Sequence, residues 1–169
     1  MKSFPNGFIE NETIYRNAWG EHPARIIGIV KNVDFSIAYF ESNFEKFKSQ
    51  VDMLIERIDQ TENRGSFLNK AKHLKATLPE LKGLGDFQAL DHKISDLIEL
   101  ILKTIKGNRT KNAEIKGQLI RQIKAATDLL HWGEATTQIL SIQKKWFHTG
   151  PAKASKEARL NEEFKNILN

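Results

Sequence analysis

Two stretches of this chain repeat apolar residues at the spacing of a helix–helix seam, which leaves little choice of architecture. In the first, Phe40, Phe44, Phe47, Val51, Leu54 and Ile58 follow one another at steps of four, three, four, three and four. In the second, Phe87, Leu90, Ile94, Leu97, Ile101 and Ile105 repeat the pattern. Such heptad spacing keeps one narrow face of a helix apolar, and that face must be covered by another helix. The expectation is a mainly α protein built on an elongated antiparallel helical bundle, or a coiled-coil-like hairpin.

The punctuation between the seams divides the chain. Asp34 is a suitable N-cap for the first long helix, and the run Thr61-Glu62-Asn63-Arg64-Gly65 ends it. Ser66 can cap a shorter helix that carries Phe67, Leu68, Ala71, Leu74 and Leu78 and is closed by Pro79. Asp86, after Gly83-Leu84-Gly85, caps the second seam. Gly107-Asn108 reads as a break, because glycine in a helix interior costs about 1 kcal/mol, so two helices are expected between Phe87 and Ala126. The heptad phase nevertheless survives through Asn108 and Asn112 to Ile115 and Leu119, and also fits one long helix with a polar interruption. Before the seams, Phe8-Ile9-Glu10, Thr13-Ile14-Tyr15 and Arg25–Val30 carry β-forming residues around the turn signals of Asn17–Pro23. They predict a small hairpin that must pack on the helices.

At the other end, Trp132, Ala135, Ile139, Ile142 and Trp146 form a helical stripe that stops at Gly150-Pro151. Gly150 suits a left-handed cap, and Pro151 cannot continue the helix. Ala158, Leu160, Phe164, Ile167 and Leu168 mark a second helix, so the end of the chain reads as a helix–turn–helix hairpin. Three segments result: a β-hairpin appendage at 1–32, a long-helix bundle at 33–130, and a helical hairpin module packed on the bundle at 131–169.

Composition narrows the function classes. With 40% hydrophobic and 28% charged residues, the chain can build a core. No apolar run approaches the roughly 18 residues of a membrane helix, and the first residues, Met1-Lys2-Ser3-Phe4-Pro5, lack a secretory signal. Cysteine is absent, which removes disulfide and thiolate chemistry. A cytoplasmic protein without membrane association is expected. Residues 1–100 carry 13 Lys/Arg and 15 Asp/Glu, whereas residues 101–169 carry 13 and 6, a net charge of +7. That asymmetry fits an anionic partner such as RNA, DNA or an acidic protein surface, and equally a solvated lysine-rich face.

Catalytic motifs are missing. His22, His73, His92, His131 and His148 are scattered, with no pair at metal-ligand spacing beside a glutamate. His92 and Asp96 share a helix face and could pair, as i,i+4 residues commonly do. Gly83-Leu84-Gly85-Asp86 precedes a helix but follows no strand and lacks a phosphate-loop lysine, so it reads as an inter-helix turn. No serine lies in a nucleophile elbow. Neither an enzyme nor a cofactor is expected. Trp132 and Trp146 read as core residues of their stripe. Alternatively, an exposed tryptophan would anchor a partner, or stack a base among Lys144, Lys145, Lys153, Lys156 and Arg159, the candidate anion- or nucleic-acid-binding residues.

The segment Lys116–Leu168 resembles the bacterial family called domain of unknown function 349. The resemblance rests on His131-Trp132, Ala135, Ile142-Gln143, the run from Trp146 to Gly150-Pro151, and then Leu160 and Phe164. Upstream, Tyr39-Phe40, Gly65–Leu68, Leu84–Phe87 and Lys111–Lys116 are similar to the region before the repeats in Bacteroidetes-type members. The resemblance implies helical modules, often in tandem, in cytoplasmic bacterial proteins, and it brings no catalytic residues. The chain departs from the pattern in holding one module and in placing Asn161 where many members have an aromatic residue. It also stops at Asn169, where the family's last helix tends to continue, and so reads as a short member or a piece of a longer array. In a piece, Phe164, Ile167 and Leu168 would lack cover and favour self-association.

Two functions fit these readings. The first is a non-enzymatic protein-interaction module, a scaffold or adaptor, meeting another protein or a second copy through an open helical seam. The second is an RNA-, DNA- or ribosome-associated protein that binds phosphates through its basic C-terminal third.

Overall fold

A computed structural model describes residues 1–129 and 131–168. Its element order is four strands, β1 (Lys2–Phe4), β2 (Gly7–Glu10), β3 (Thr13–Arg16) and β4 (Arg25–Ile29), followed by helices α1 (Val33–Asp59), α2 (Leu68–Thr77), α3 (Phe87–Thr127), α4 (Trp132–His148) and α5 (Ala154–Leu168). The protein is mainly α, as the seams require. Among the described residues no helix is long and apolar enough to cross a membrane. Two compact units part within α3, Met1–Leu102 and Lys103–Asn169.

In the first unit the expected hairpin is a four-stranded antiparallel meander in the order β1-β2-β3-β4. The strand missed by pattern, β1, is only three residues long and pairs Lys2 with Ile9 and Phe4 with Gly7. Three residues are too few to show an alternation. The β2–β3 turn is Asn11-Glu12, both with positive φ (48° and 59°), the backbone of a two-residue hairpin loop. Ile14 and Ile27 leave the sheet to pack with Phe40 of α1 and with Leu84 ahead of α3. This burial is what a small sheet needs in order to persist.

Helix α1 buries Phe40, Phe44, Val51, Leu54 and Ile58, the seam read from the sequence. Its N-cap is Asn32 rather than Asp34: the Asn32 side chain accepts the Phe35 N–H at 3.0 Å. Asp34 sits two residues further on, in the first turn, where a carboxylate still favours the helix dipole. A 3-10 turn at Arg64–Phe67 precedes α2, and Ser66 donates to the Asn63 carbonyl at 2.9 Å instead of capping α2. Asp86 does cap α3, accepting the Ala89 N–H at 2.9 Å.

The second seam is buried as well, from Phe87 through Leu90, Ile94 and Leu97 to Ile101. The Phe44 and Phe87 rings lie 5.1 Å apart, and Lys93 pairs with Asp52 at 2.6 Å. These contacts advance in the same direction along α1 and α3, so the seam helices run in the same sense and α2 is the antiparallel return. The break expected at Gly107-Asn108 is absent: α3 is one helix of 41 residues. A single glycine removes no hydrogen bond, and its propensity cost is small beside the packing of the flanking apolar turns.

Candidate functional site

The second unit is organised around Leu119, Ile120 and Ile123 of α3, Ile142 and Trp146 of α4, and Leu160 and Phe164 of α5. Trp146 and Phe164 stack with centroids 3.9 Å apart and planes 6° from parallel. Beside them Lys116, only 4% exposed, donates to Glu157 and lies 5.1 Å from the Trp146 ring centre. Glu157 also accepts the Ala152 N–H at 2.7 Å and the Asn161 amide at 3.2 Å. Burial alone would raise the Glu157 carboxyl, but the Lys116 hydrogen bond, the Ala152 amide, the Lys116 charge and Asn161 together hold it below the usual carboxylate range. A lysine this deep is tolerated only because its partner is charged and hydrogen-bonded.

The α4–α5 turn is built differently from the cap read in the sequence. Gly150 does not have positive φ. Helix α4 ends at Thr149, whose N–H reaches the Lys145 and Trp146 carbonyls while its backbone turns extended at φ −81° and ψ 122°. Glycine next gives the turn room: a Cβ at Gly150 would lie 2.9 Å from Asn112 Nδ2 and push that amide aside. That amide donates to the Pro151 carbonyl at 3.0 Å and ties the turn to α3. Thus Asn112, a polar interruption of the α3 stripe, is the brace of the Gly-Pro turn.

The tryptophans part company. Trp146 is core, as expected from its stripe, so it is closed to base stacking. Trp132 is 87% exposed. As the first residue of α4 it stands about two turns ahead of Ile139, the first α4 residue packed against the core. Leu140 and Phe147 are exposed too, at 60% and 80%. At 100° per residue the three fall within about 80° of one another, a solvent-facing apolar stripe beside the buried one.

The basic candidates also divide. Lys153, Lys156 and Arg159 come together on a groove of about 350 Å³, facing Arg109, Thr110 and Glu114 of α3 over a floor of Ala113, Gly117 and Leu160. Lys144 and Lys145 are exposed on α4 and do not line it. Arg109 escaped sequence reading because it lies 44 residues before Lys153 and only the fold of α5 onto α3 joins them. A larger cavity of about 550 Å³ in the first unit contains Glu41, Glu45, Lys48, Asp86 and Lys93. There Lys48 pairs with Glu45 and Lys93 with Asp52, so its cations are already neutralised.

Elsewhere the arrangement is structural. His92 contacts Gln88 at 2.8 Å rather than Asp96. Gly85 of the Gly83–Asp86 loop lies against the Phe44 ring, in keeping with a plain inter-helix turn. Among the described residues no three His, Asp or Glu side chains converge as metal ligands.

Residues 85–155 match the family model described as Domain of Unknown Function (DUF349), which supports the resemblance carried by the Trp132–Pro151 motif. The matched span begins further upstream than the motif and stops before Leu160 and Phe164. No curated protein and no solved structure matches the chain.

Proposed function

We propose that the segment assigned to the domain of unknown function 349 family, residues 85–155, serves with α5 as a non-enzymatic protein-interaction module, an adaptor whose docking surface is the outward face of α4. The observation that carries this reading is the exposed stripe of Trp132, Leu140 and Phe147. Large aromatic side chains cost little entropy to immobilise and dominate binding energies where a partner excludes water from them. Behind the stripe, Ile142 and Trp146 of the same helix are fixed in the core, so the surface is held on a rigid element. The heptad seams are largely buried, with Phe47 and Ile105 half-buried, which leaves α4 as the better-placed surface. The partner it suits is an apolar helix face of another protein, laid along α4.

The test is capture of the tagged 169-residue chain and of the triple variant Trp132→Ser, Leu140→Ser, Phe147→Ser from native extract after nuclease treatment. The wild type should recover a defined partner that survives high salt, and the variant should lose it while keeping its helicity. An identical set of recovered proteins with both forms would sink the proposal.

A further inference from the structure

We infer that the groove between α3 and the first turns of α5 seats the phosphate backbone of a single-stranded nucleic acid. It draws four cations, Arg109 from α3 on one side and Lys153 of the α4–α5 turn with Lys156 and Arg159 of α5 on the other, against one carboxylate, Glu114. Their state of pairing matters more than their number. Two lysines of α3 are engaged, Lys116 with Glu157 and Lys124 with Glu163 at 2.7 Å, whereas Lys106 and Lys111 are exposed and do not line the groove. Among the described residues no carboxylate lies within 4.0 Å of the four groove cations. Apart from the pull of Glu163 on Arg159 and the single Glu114, they are held side by side with little internal neutralisation, which costs like-charge repulsion that a bound polyanion would relieve.

The chemistry favours phosphate. Two guanidinium forks match phosphate oxygens in bidentate geometry, and the two ammonium groups act as point charges beside them. Lys153 and Lys156 flank the N-terminus of α5, where the helix dipole adds positive potential. The uncharged floor of Ala113, Gly117 and Leu160 leaves room for sugar between the charges. Four cations gathered on a groove of about 350 Å³ suit one backbone better than the two of a duplex. The +7 charge of residues 101–169 supplies the attraction at a distance.

The experiment is fluorescence anisotropy of labelled mixed-sequence oligonucleotides, RNA and DNA in separate arms, titrated with the full chain across a salt series. Binding to either strand type is expected, with a log–log salt slope near −3, since four contacts release about 0.7 counterion each on a single strand. Replacing Arg109, Lys153, Lys156 and Arg159 with Gln should weaken binding at least about tenfold and flatten the slope. The control pair Lys144→Gln, Lys145→Gln removes charge from α4 and should leave affinity nearly unchanged. The single variant Arg109→Glu carries the same test without touching the α4–α5 turn, should the quadruple variant lose helicity. Equal losses in groove and control variants would overturn the inference, as would tighter binding to duplex. Groove-dependent binding of poly-glutamate or anionic vesicles without any of nucleic acid would also overturn it. None of these substitutions alters Trp132, Leu140 or Phe147, so failure here is distinct from failure of the α4 docking surface.

Discussion

A methyl group placed on Gly85 would sit 2.1 Å from Cδ1 of Phe44, a separation that only movement of a buried ring or of the α2–α3 loop can relieve. Gly85→Ala should therefore cost about 1–3 kcal/mol, the usual penalty of overpacking, measurable by denaturant unfolding. Smaller rings or chains at position 44 should restore part of the loss. The Lys116–Glu157 pair makes a prediction of a different kind. Glu157 is held below its ordinary range in the folded state, so its contribution is complete above the unfolded carboxylate pKa and disappears as pH falls through the depressed folded value. Stability should decline on acidification through that window. Glu157→Gln should flatten the decline and, at neutral pH, cost about 3 kcal/mol by leaving the Lys116 charge buried without a partner. An unchanged pH profile would show that the pair does not form in solution. Neither residue was legible as special in the sequence. The partner of Lys116 lies 41 positions away, and a buried lysine looks like any other lysine until the helices are folded together.

Among the elements, α3 is where pattern and propensity disagree. Gly107 and Asn108 argued for a break, yet the helix continues, because the apolar positions on both sides are anchored in packed clusters. Propensity is a weak local term, and tertiary contacts override it. Nothing lies within 4 Å of the Cβ that alanine would place at Gly107. Gly107→Ala should therefore raise stability by about 1 kcal/mol; a loss of stability on thermal or denaturant unfolding would argue against a continuous helix. The seams themselves were readable, since a heptad stripe announces its own burial. So was the Asp86 cap. The short β1 strand was not, nor the Asn32 cap, which competed with an equally plausible Asp34 two residues on. In α4 the period was right but its first member was misplaced. Trp132 keeps the spacing of the core stripe and yet lies beyond the end of the cluster it points along. Spacing shows which face a residue shares and is silent on how far the neighbouring element extends.

Across the whole molecule, charge follows the compact units. The excess of basic residues was visible in the sequence from about residue 101, and the second unit begins at Lys103. What could not be read was how that charge is distributed in space. Of five basic residues singled out near the Trp146 motif, three share a groove with Arg109, and the two nearest the tryptophan do not. Adjacency in sequence suggested a site around Trp146. The fold instead turned that ring inward onto Phe164 and left the cations to meet across α3 and α5.

That inward turn has an optical consequence. The chain holds three tryptophans: Trp19 is stacked near Phe87 in the first unit, Trp146 lies on Phe164 in the second, and Trp132 alone stands in water. Emission should therefore separate into a blue, shielded population and one red-shifted, acrylamide-quenchable component that Trp132→Phe abolishes. Unfolding would shift the two blue components to the red, whereas a partner laid along α4 would move the red component alone. The protein thus carries its own label at the surface proposed for docking, with two internal references that report whether the fold is intact.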